Sequence, residues 1–186
     1  DVEGWSTLPF LGSGEFYWEY VDFDDTMTVP AGMIVAGSGE LQNEKEVLSA
    51  QQIERLTKAR NSDKTIMIRS EKEVNDDAGK RSNKKTASWH FKMKNTRDVA
   101  FGASKAYVWD AAKINLPGGK TSLAMSVYPV ESAGDSAWGR ATEYLKKSIE
   151  YFSEKWFDYP WPVAVNEAGN AGGMEYRGMV FEGWRD

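Results

Sequence analysis

Alternating apolar and polar positions predict that the first part of the chain is rich in β-strands. Every second residue from Ala87 to Met93 is apolar, and the residues between them are polar. This period of two is typical of a strand that buries one of its faces. The same argument predicts a long strand over 14–29 that ends at Pro30, because proline has no N–H to give to a sheet. Further short strands are predicted at 33–36, 65–69, 99–104 and 106–109.

One predicted helix interrupts this β-rich part. Ser49 is a good N-cap residue, and Gln52 stands three positions later, as a capping box requires. Ile53, Leu56 and Ala59 then form a narrow apolar stripe at helical spacing. Because most other positions in this segment are polar, the sequence predicts a surface helix over about 50–60 that packs on a sheet.

The pattern changes after residue 115, where the segment 116–119 carries a Pro-Gly-Gly turn signal. A nearly continuous apolar run over 123–130 predicts a buried strand. Helical spacing then predicts a long helix from about residue 136 to about residue 157, ended by the Pro-x-Pro of 159–162. The positions expected to be buried by this helix are Trp138, Leu145, Phe152 and Trp156.

These elements predict an α+β fold in two parts. Residues 1–115 are expected to be mainly antiparallel β with one inserted helix. Residues 116–186 are expected to form a second domain that begins with a strand, a long helix and another short strand at 163–165.

Composition and charge exclude several classes of protein. Hydrophobic residues make up 41% and charged residues 27% of the 186 positions, which is a globular composition. The net charge of −5 argues against a nucleic-acid partner, which usually requires a basic surface. No apolar run approaches the ~20 residues that span a bilayer, so no membrane span is expected.

Cysteine and histidine usage restricts the possible chemistry further. The chain has no cysteine, which excludes disulfides, thiol catalysis and thiolate metal sites. Its single histidine, His90, excludes any site that needs two imidazoles, including an HExxH zinc helix. We therefore expect no metal or cofactor to be held by this chain alone. Because His90 lies on the polar face of its strand, we expect it to be exposed or hydrogen-bonded.

One short segment has a pattern that could bind a ligand: Gly172, Gly173, Met174, Glu175 and Tyr176. Glycines let another backbone approach closely because they carry no Cβ. A carboxylate two residues later could then pair with the ammonium group of a peptide held beside that backbone. A flexible turn followed by a solvated glutamate explains the same residues without any function.

This segment resembles the Gly-x-Met-Glu-Asn motif, often written GAMEN, of the aminopeptidase-N-like zinc metallopeptidases, a gluzincin family. In that family a long helix, an aromatic-Pro-x-Pro segment, a strand and a Gly-rich turn precede the motif, as 159–162 and 163–165 do here. Phe23 and the segments 28–30 and 34–41 also look like the closing strands of the family's N-terminal β-sandwich. The segments 89–91 and 99–104 look like its last strands. Tyr176 stands in place of the motif's Asn, and Arg177 stands where a Pro is common.

The resemblance implies a function for an intact parent protein. Glu175 would bind the α-amino group of a peptide substrate, and the backbone of Gly172 and Gly173 would line it. The family's HExxH zinc helix lies after the motif, so the resemblance implies a fragment with the end of the β-sandwich and the start of a thermolysin-like catalytic domain. Such a fragment would be inactive without the zinc and the remainder of the catalytic domain. A periplasmic or secreted bacterial location is also implied.

Two other functions remain open at this stage. Eight tryptophans are more than a core of this size usually needs, so a β-sandwich module that stacks aromatic rings on carbohydrate is an alternative. A protein-interaction module without chemistry is the other alternative. Binding to an array of glycans would distinguish these two modules.

Overall fold

The computed structural model describes residues 19–76, 85–134 and 138–183. Residues 14–18 of the first predicted strand and 136–137 of the predicted long helix lie outside these ranges. The described strands are β1 (Val21–Pro30), β2 (Ile34–Gly37), β3 (Glu40–Leu41), β4 (Ile66–Arg69), β5 (Thr86–Thr96), β6 (Phe101–Ser104), β7 (Tyr107–Asn115), β8 (Thr121–Pro129), β9 (Val163–Gly169), β10 (Met174–Tyr176) and β11 (Met179–Gly183). The helices are α1 (Glu44–Val47), α2 (Ala50–Ala59), α3 (Glu71–Asp76) and α4 (Ala141–Lys155), and short 3-10 turns cover Pro117–Gly119, Val130–Ser132 and Trp138–Arg140.

A three-stranded antiparallel sheet in the order β1-β5-β3 contains the strand with the clearest alternation. On β5, the side chains of Trp89, Phe91 and Met93 are buried, with exposed fractions of 3% or less. His90 faces Thr26 of β1 across the ladder, on the opposite face. The alternation predicted for this strand is therefore confirmed, and a separate two-stranded antiparallel pair joins β2 to β6.

A six-stranded mixed sheet in the order β10-β11-β9-β8-β7-β4 forms the other large layer. Its β7–β8 and β4–β7 pairs are antiparallel, whereas β9 lies parallel to both β8 and β11. The β7–β8 ladder extends from the Tyr107–Pro129 pair to the Asn115–Thr121 pair. The segment 116–119 therefore connects two paired strands of one sheet. The sheet continues across residue 115, and the division into domains at that point stays a prediction.

The main hydrophobic core lies where the strands of all three sheets meet α2. It contains Trp89 and Phe91 of β5, Ile34 of β2, and Trp109 and Val127 of the six-stranded sheet. Burial of these apolar side chains between sheets is the main stabilising term of such a layered fold. Helices on a largely antiparallel arrangement of strands confirm the predicted α+β class.

The local signals for α2 are confirmed in detail. The Ser49 hydroxyl accepts a hydrogen bond of 3.2 Å from the backbone N–H of Gln52. The Gln52 side-chain oxygen accepts one of 3.1 Å from the backbone N–H of Ser49. Leu56 and Ala59 are buried, with exposed fractions of 2% and 0%. This capping box satisfies two N–H groups that have no partner within the helix.

The prediction for the buried face of α4 is wrong for its last turn. Trp138 before the helix is 5% exposed, but Phe152 is 47% and Trp156 is 73% exposed. The buried side chains of the helix are polar: Thr142, Lys146 and Ser153. Polar pairing explains this burial, because the Thr142 hydroxyl bonds the Ser126 hydroxyl at 2.7 Å and Ser153 Oγ accepts from the Tyr159 N–H at 3.1 Å. Leu145 and Ile149 are only partly buried, against a small core cluster.

No helix in the described ranges combines the length and the apolar character needed to cross a bilayer.

Candidate functional site

The segment 172–176 forms the outer edge of the six-stranded sheet. Its strand β10 pairs with β11 on one side, with Glu175 opposite Val180, and it is the outermost strand of the sheet among the described residues. Met174 and Glu175 are exposed, and Tyr176 is half-buried. An edge strand leaves one row of backbone N–H and C=O groups without sheet partners. The structure therefore presents this segment as an accessible extended backbone.

The backbone favours glycine at both positions before β10, for different reasons. Gly173 has a φ of +68°, in the left-handed region that favours glycine, and a Cβ there would meet no heavy atom within 4 Å. A Cβ on Gly172 would lie 3.2 Å from the backbone nitrogen of Gly183. Gly172 is therefore fitted against the protein's own strand β11, whereas the space beside Gly173 is open.

A tight turn after β10 fixes its position. The backbone N–H of Arg177 donates to Oδ1 of Asp98 at 2.9 Å, and Nη1 of Arg177 donates to Oδ2 at 2.6 Å. Asp98 is buried, with an exposed fraction of 8%. The N–H of Val165 donates to the carbonyl oxygen of Gly178 at 2.9 Å. Arg177, a departure from the family pattern, thus attaches the β10–β11 hairpin to the segment before β6.

The Glu175 carboxylate has no hydrogen bond or salt bridge to any described residue. The side chain is exposed. Tyr176 follows Glu175 on β10, and its ring packs edge-on against Phe181 of β11, with 5.7 Å between the ring centroids. This contact adds to the pairing between the two strands. The arrangement is an exposed carboxylate, unpaired within the described ranges, on an edge strand that its neighbours anchor.

The side chains of the described residues do not form a set of ligands that fits a zinc ion. His90 lies on β5, where its Nε2 is 2.6 Å from Oδ1 of Asp24, and Lys92 Nζ is 2.9 Å from Oδ2 of the same carboxylate. The hydrogen bonds from Lys92 and His90 lower the pKa of the Asp24 carboxyl. Among the described residues, no three His, Cys, Asp or Glu side chains are grouped so that they could hold a metal. His90 is hydrogen-bonded on a polar sheet face, as its position in the sequence predicts.

Two buried carboxyl groups in the six-stranded sheet were not anticipated. Asp110 on β7 is 1% exposed and Glu167 on β9 is 6% exposed. Burial raises the pKa of both, that of Asp110 to about 6. The hydroxyl of Tyr107 donates to Glu167, and a Cβ on Gly102 would lie 2.9 Å from Oε1 of this carboxylate. No local signal marks these residues, because β7 and β9 contain other polar residues, such as Lys113 and Asn166, that are not buried.

The chain is similar to known proteins in structure but not in sequence. No protein-family model and no curated protein sequence matches the chain. A mutant of a two-domain M1 zinc metallopeptidase bound to L-arginine matches with a TM-score of 0.54 and 12% identity, over 88% of this chain and 30% of that one. An M1 zinc metallopeptidase from Deinococcus radiodurans matches with a TM-score of 0.52 and 13% identity, over the same shares of the two chains.

A third similar structure is a mutant M1 zinc metallopeptidase from Deinococcus radiodurans bound to the substrate Tyr-ser-ala. Its TM-score is 0.53 at 12% identity, and the match covers 85% of this chain and 29% of that one. At such low identity the likeness shows a common fold. The chain thus has the fold of part of an M1 zinc metallopeptidase, and it spans about 30% of the length of these proteins.

Proposed function

We propose that this chain is part of an aminopeptidase-like zinc metallopeptidase of the M1 type. In this proposal residues 172–176 line the peptide substrate, and Glu175 binds the substrate's α-ammonium group. The observation that carries the proposal is the Glu175 carboxylate, which is exposed and without a partner in the described residues, on an edge strand of an M1-like fold. The zinc would be held by the remainder of the catalytic domain, because the described residues of this chain contain no suitable group of ligands and the sequence has one histidine and no cysteine. The chain alone would be inactive.

The backbone of β10 would bind the peptide as an added strand. An extended peptide can pair with the unpaired edge of a sheet, and the hydrogen bonds of such pairing do not depend on the peptide's side chains. The open space beside Gly173 would leave room for the peptide's first residue. The Arg177–Asp98 contact would keep this edge rigid, so that little ordering is needed when a peptide binds.

The Glu175 carboxylate would select for a free N-terminus. An exposed ion pair contributes little, since water screens both charges. Once the peptide and the opposite wall of the catalytic domain exclude water, the same pair would become stronger and more selective. The ligands of the similar structures agree with this role, because L-arginine, L-tryptophan and Tyr-ser-ala all carry an α-ammonium group. The family resemblance also favours a periplasmic or secreted bacterial protein.

The experiment that tests this proposal uses the full-length protein. Glu175→Gln and Glu175→Ala are compared with wild type on a peptide with a free N-terminus and on the same peptide after N-acetylation. Loss of the carboxylate should cost about 2–4 kcal/mol, or roughly 30- to 900-fold in kcat/KM, on the free peptide. The acetylated peptide should be affected far less.

Glu182→Gln is the matched control, because Glu182 is an exposed glutamate on the neighbouring strand β11. It should leave both rates unchanged. Equal losses on the two peptides would assign a structural role to Glu175, and no loss on either would refute the proposal.

A second candidate function rests on exposed aromatic rings at the end of α4. Phe152 and Trp156 stack with 5.1 Å between their centroids and an angle of 5° between the rings. The neighbouring Phe157 is 81% exposed. A flat aromatic surface of this kind could stack on sugar rings, as in a carbohydrate-binding module. Titration with soluble polysaccharides would test this role, and Trp156→Ala should abolish any binding that depends on the stack.

A further inference from the structure

An exposed line of side chains runs along the outer side of α4. Residues four positions apart on a helix lie above one another, and at this spacing Arg140, Tyr144, Ser148, Phe152 and Trp156 are all exposed. The three aromatic residues have exposed fractions of 52%, 47% and 73%. We call these five residues the α4 ridge. Aligned aromatic rings give an exposed apolar surface, and such a surface marks an interaction site more often than scattered single residues do.

Each half of the α4 ridge is ordered by a contact within the chain. The guanidinium of Arg140 lies over the ring of Tyr144, 4.8 Å from its centroid. The rings of Phe152 and Trp156 stack with 5.1 Å between their centroids. The small side chain of Ser148 separates these two pairs, so the ridge has a notch at its centre. Because the side chains are already ordered, binding at the ridge would cost little of their conformational entropy.

The α4 ridge is complementary to a second copy of itself. If two α4 helices cross antiparallel at Ser148, a twofold axis at the crossing places Tyr144 of each copy beside Phe152 of the other. Arg140 of each copy then lies beside Trp156 of the other. The notch at Ser148 lets the two helices approach closely, because the distance between packed helices depends on the side chains at the contact. Every such contact occurs twice, which is the property of an isologous interface.

The charges of α4 permit this pairing, although the chain has a net charge of −5. Each acidic residue of the helix forms an ion pair with a base of the same chain, in the pairs Glu143 with Arg140 and Lys147, Glu150 with Lys146, and Glu154 with Lys155. The antiparallel arrangement also brings Arg140 to the C-terminal end of the other α4, which carries partial negative charge, and to the face of a tryptophan ring, which attracts cations. A face whose acids are all paired favours a second copy over a strongly charged partner.

We propose that the α4 ridge is the contact surface of a homodimer of this chain, in which two α4 helices pack antiparallel and Ser148 of each copy lies at the twofold axis. The ridge contains none of the residues 172–176, so the test of the dimer does not depend on the proposed peptidase function. The dimer would cover the rings of Phe152 and Trp156, on which the carbohydrate-binding alternative rests.

Sedimentation velocity of the full chain over a series of concentrations tests the association. One helix face is small compared with the ~1,600 Å² of a standard interface, so we expect a reversible dimer that forms at micromolar concentrations. Tyr144→Ala and Phe152→Ala should each weaken the dimer by at least about tenfold, because each removes two symmetric contacts. Phe101→Ala is the matched control, because Phe101 is 54% exposed on β6 and is not part of the ridge. A wild-type chain that stays monomeric at every concentration, or an equal loss for Phe101→Ala, would overturn the proposal.

Engineered cysteines test the location of the contact, since the chain has no cysteine of its own. A disulfide needs two Cα atoms within about 7 Å, which helices that cross at Ser148 provide. Under mild oxidation Ser148→Cys should therefore cross-link much faster than Thr57→Cys, a variant at an exposed position of α2. If the two variants cross-link at the same rate, the dimer contact is not at the ridge and the proposal fails.

The direction of the helices has its own readout. In a mixture of Tyr144→Cys and Phe152→Cys, the cross-link between the two different variants should form in preference to the cross-link of either variant with itself. Preferential cross-linking of Tyr144→Cys with itself would contradict the antiparallel arrangement. A monomeric chain that binds a soluble polysaccharide, and loses this binding in Trp156→Ala, would refute the dimer and support the carbohydrate-binding alternative.

Discussion

The hydroxyl of Tyr128 on β8 donates a hydrogen bond of 2.7 Å to Oδ2 of Asp110 on the neighbouring strand β7. Each of the two side chains is only 1% exposed. Burial raises the pKa of the Asp110 carboxyl to about 6, even though the hydrogen bond from Tyr128 favours its charged form. The six-stranded sheet thus contains a carboxyl group whose ionisation costs stability at neutral pH.

Asp110 should therefore lower the stability of the folded chain as the pH rises from about 4 to about 6. The pKa of Asp110 is higher in the folded chain than in the unfolded chain. The protonated carboxyl therefore contributes its full stabilisation at a pH below the unfolded pKa, and this stabilisation is lost as the pH rises through the folded pKa. Asp110→Asn keeps an acceptor for Tyr128 and removes this titration. Between pH 4 and pH 7, the variant should gain about 3 kcal/mol of unfolding free energy relative to wild type, as urea unfolding can measure.

Asp63→Asn is the control for this experiment. Asp63 is exposed, and the hydrogen bond from Asn115 lowers its pKa, so its stabilising effect is lost only as the pH falls below its unfolded value. Above about pH 5 this variant should follow the pH dependence of wild type. The pKa of Glu167 is also raised, so Glu167 lowers the stability of wild type and of Asp110→Asn alike as the pH rises. If Asp110→Asn retained the full pH dependence of wild type, the assignment to Asp110 would be wrong.

Tyr107→Phe should destabilise the chain more at pH 7 than at pH 5. The Tyr107 hydroxyl donates to the buried Glu167, and this hydrogen bond favours the charged carboxylate. Its loss should cost about 1–3 kcal/mol at pH 7 and raise the pKa of Glu167 further. At lower pH a larger fraction of Glu167 is neutral, so the loss should be smaller. Urea unfolding of Tyr107→Phe, Glu167→Gln and the double variant forms a cycle, and additive losses would show that the two groups are not coupled.

Arg177→Ala should loosen the β10–β11 hairpin without unfolding the sheet. The variant leaves the buried Asp98 without its 2.6 Å ion pair, which should cost about 1.5–3 kcal/mol. Hydrogen exchange of amides in β10 and β11 should become faster than in β7 and β8. Lys147→Ala, which removes an exposed ion pair with Glu143, is the control and should change stability by no more than about 0.5 kcal/mol. Unchanged exchange in the hairpin would show that Arg177 does not anchor it.

Trp138 and Trp156 should differ strongly in their effect on stability. Trp138 is 5% exposed and packs against Tyr128 with 6.1 Å between the ring centroids, so Trp138→Ala should cost about 3–5 kcal/mol. Trp156 is 73% exposed, and Trp156→Ala should change stability by about 0.5 kcal/mol or less. Thermal unfolding of the two variants measures the difference. A large loss for Trp156→Ala would restore the prediction that this residue is part of the core.

Elements with local causes could be predicted from the sequence. The alternation on β5 identifies both the strand and its buried face, since side chains on a strand point alternately to its two sides. The capping box at Ser49 and Gln52 places the start of α2 because both partners lie within one turn. The segment 172–176 could be chosen as a candidate site, and the peptide-binding role of Glu175 stays a prediction.

Contacts between distant residues could not be predicted in this way. Arg177 and Asp98 are 79 positions apart, and neither has a sequence signal for the other. The helical spacing of Phe152 and Trp156 predicts an apolar face for α4, but polar pairs such as Thr142 with Ser126 determine which face packs on the sheet. A cavity lined by Trp89 and Trp109 likewise forms only when strands from three sheets meet.

By itself, the sequence determined the secondary structure with local signals, the α+β class, and the absence of cysteine and of a second histidine from the chain. The tertiary structure decided which strands share a sheet, that β10 lies at an edge with Glu175 exposed, and that Asp110 and Glu167 are buried. The physical reason is that hydrophobic periodicity and capping depend on neighbours a few residues away. Burial, sheet order and ion pairing depend on which distant segments the fold brings into contact.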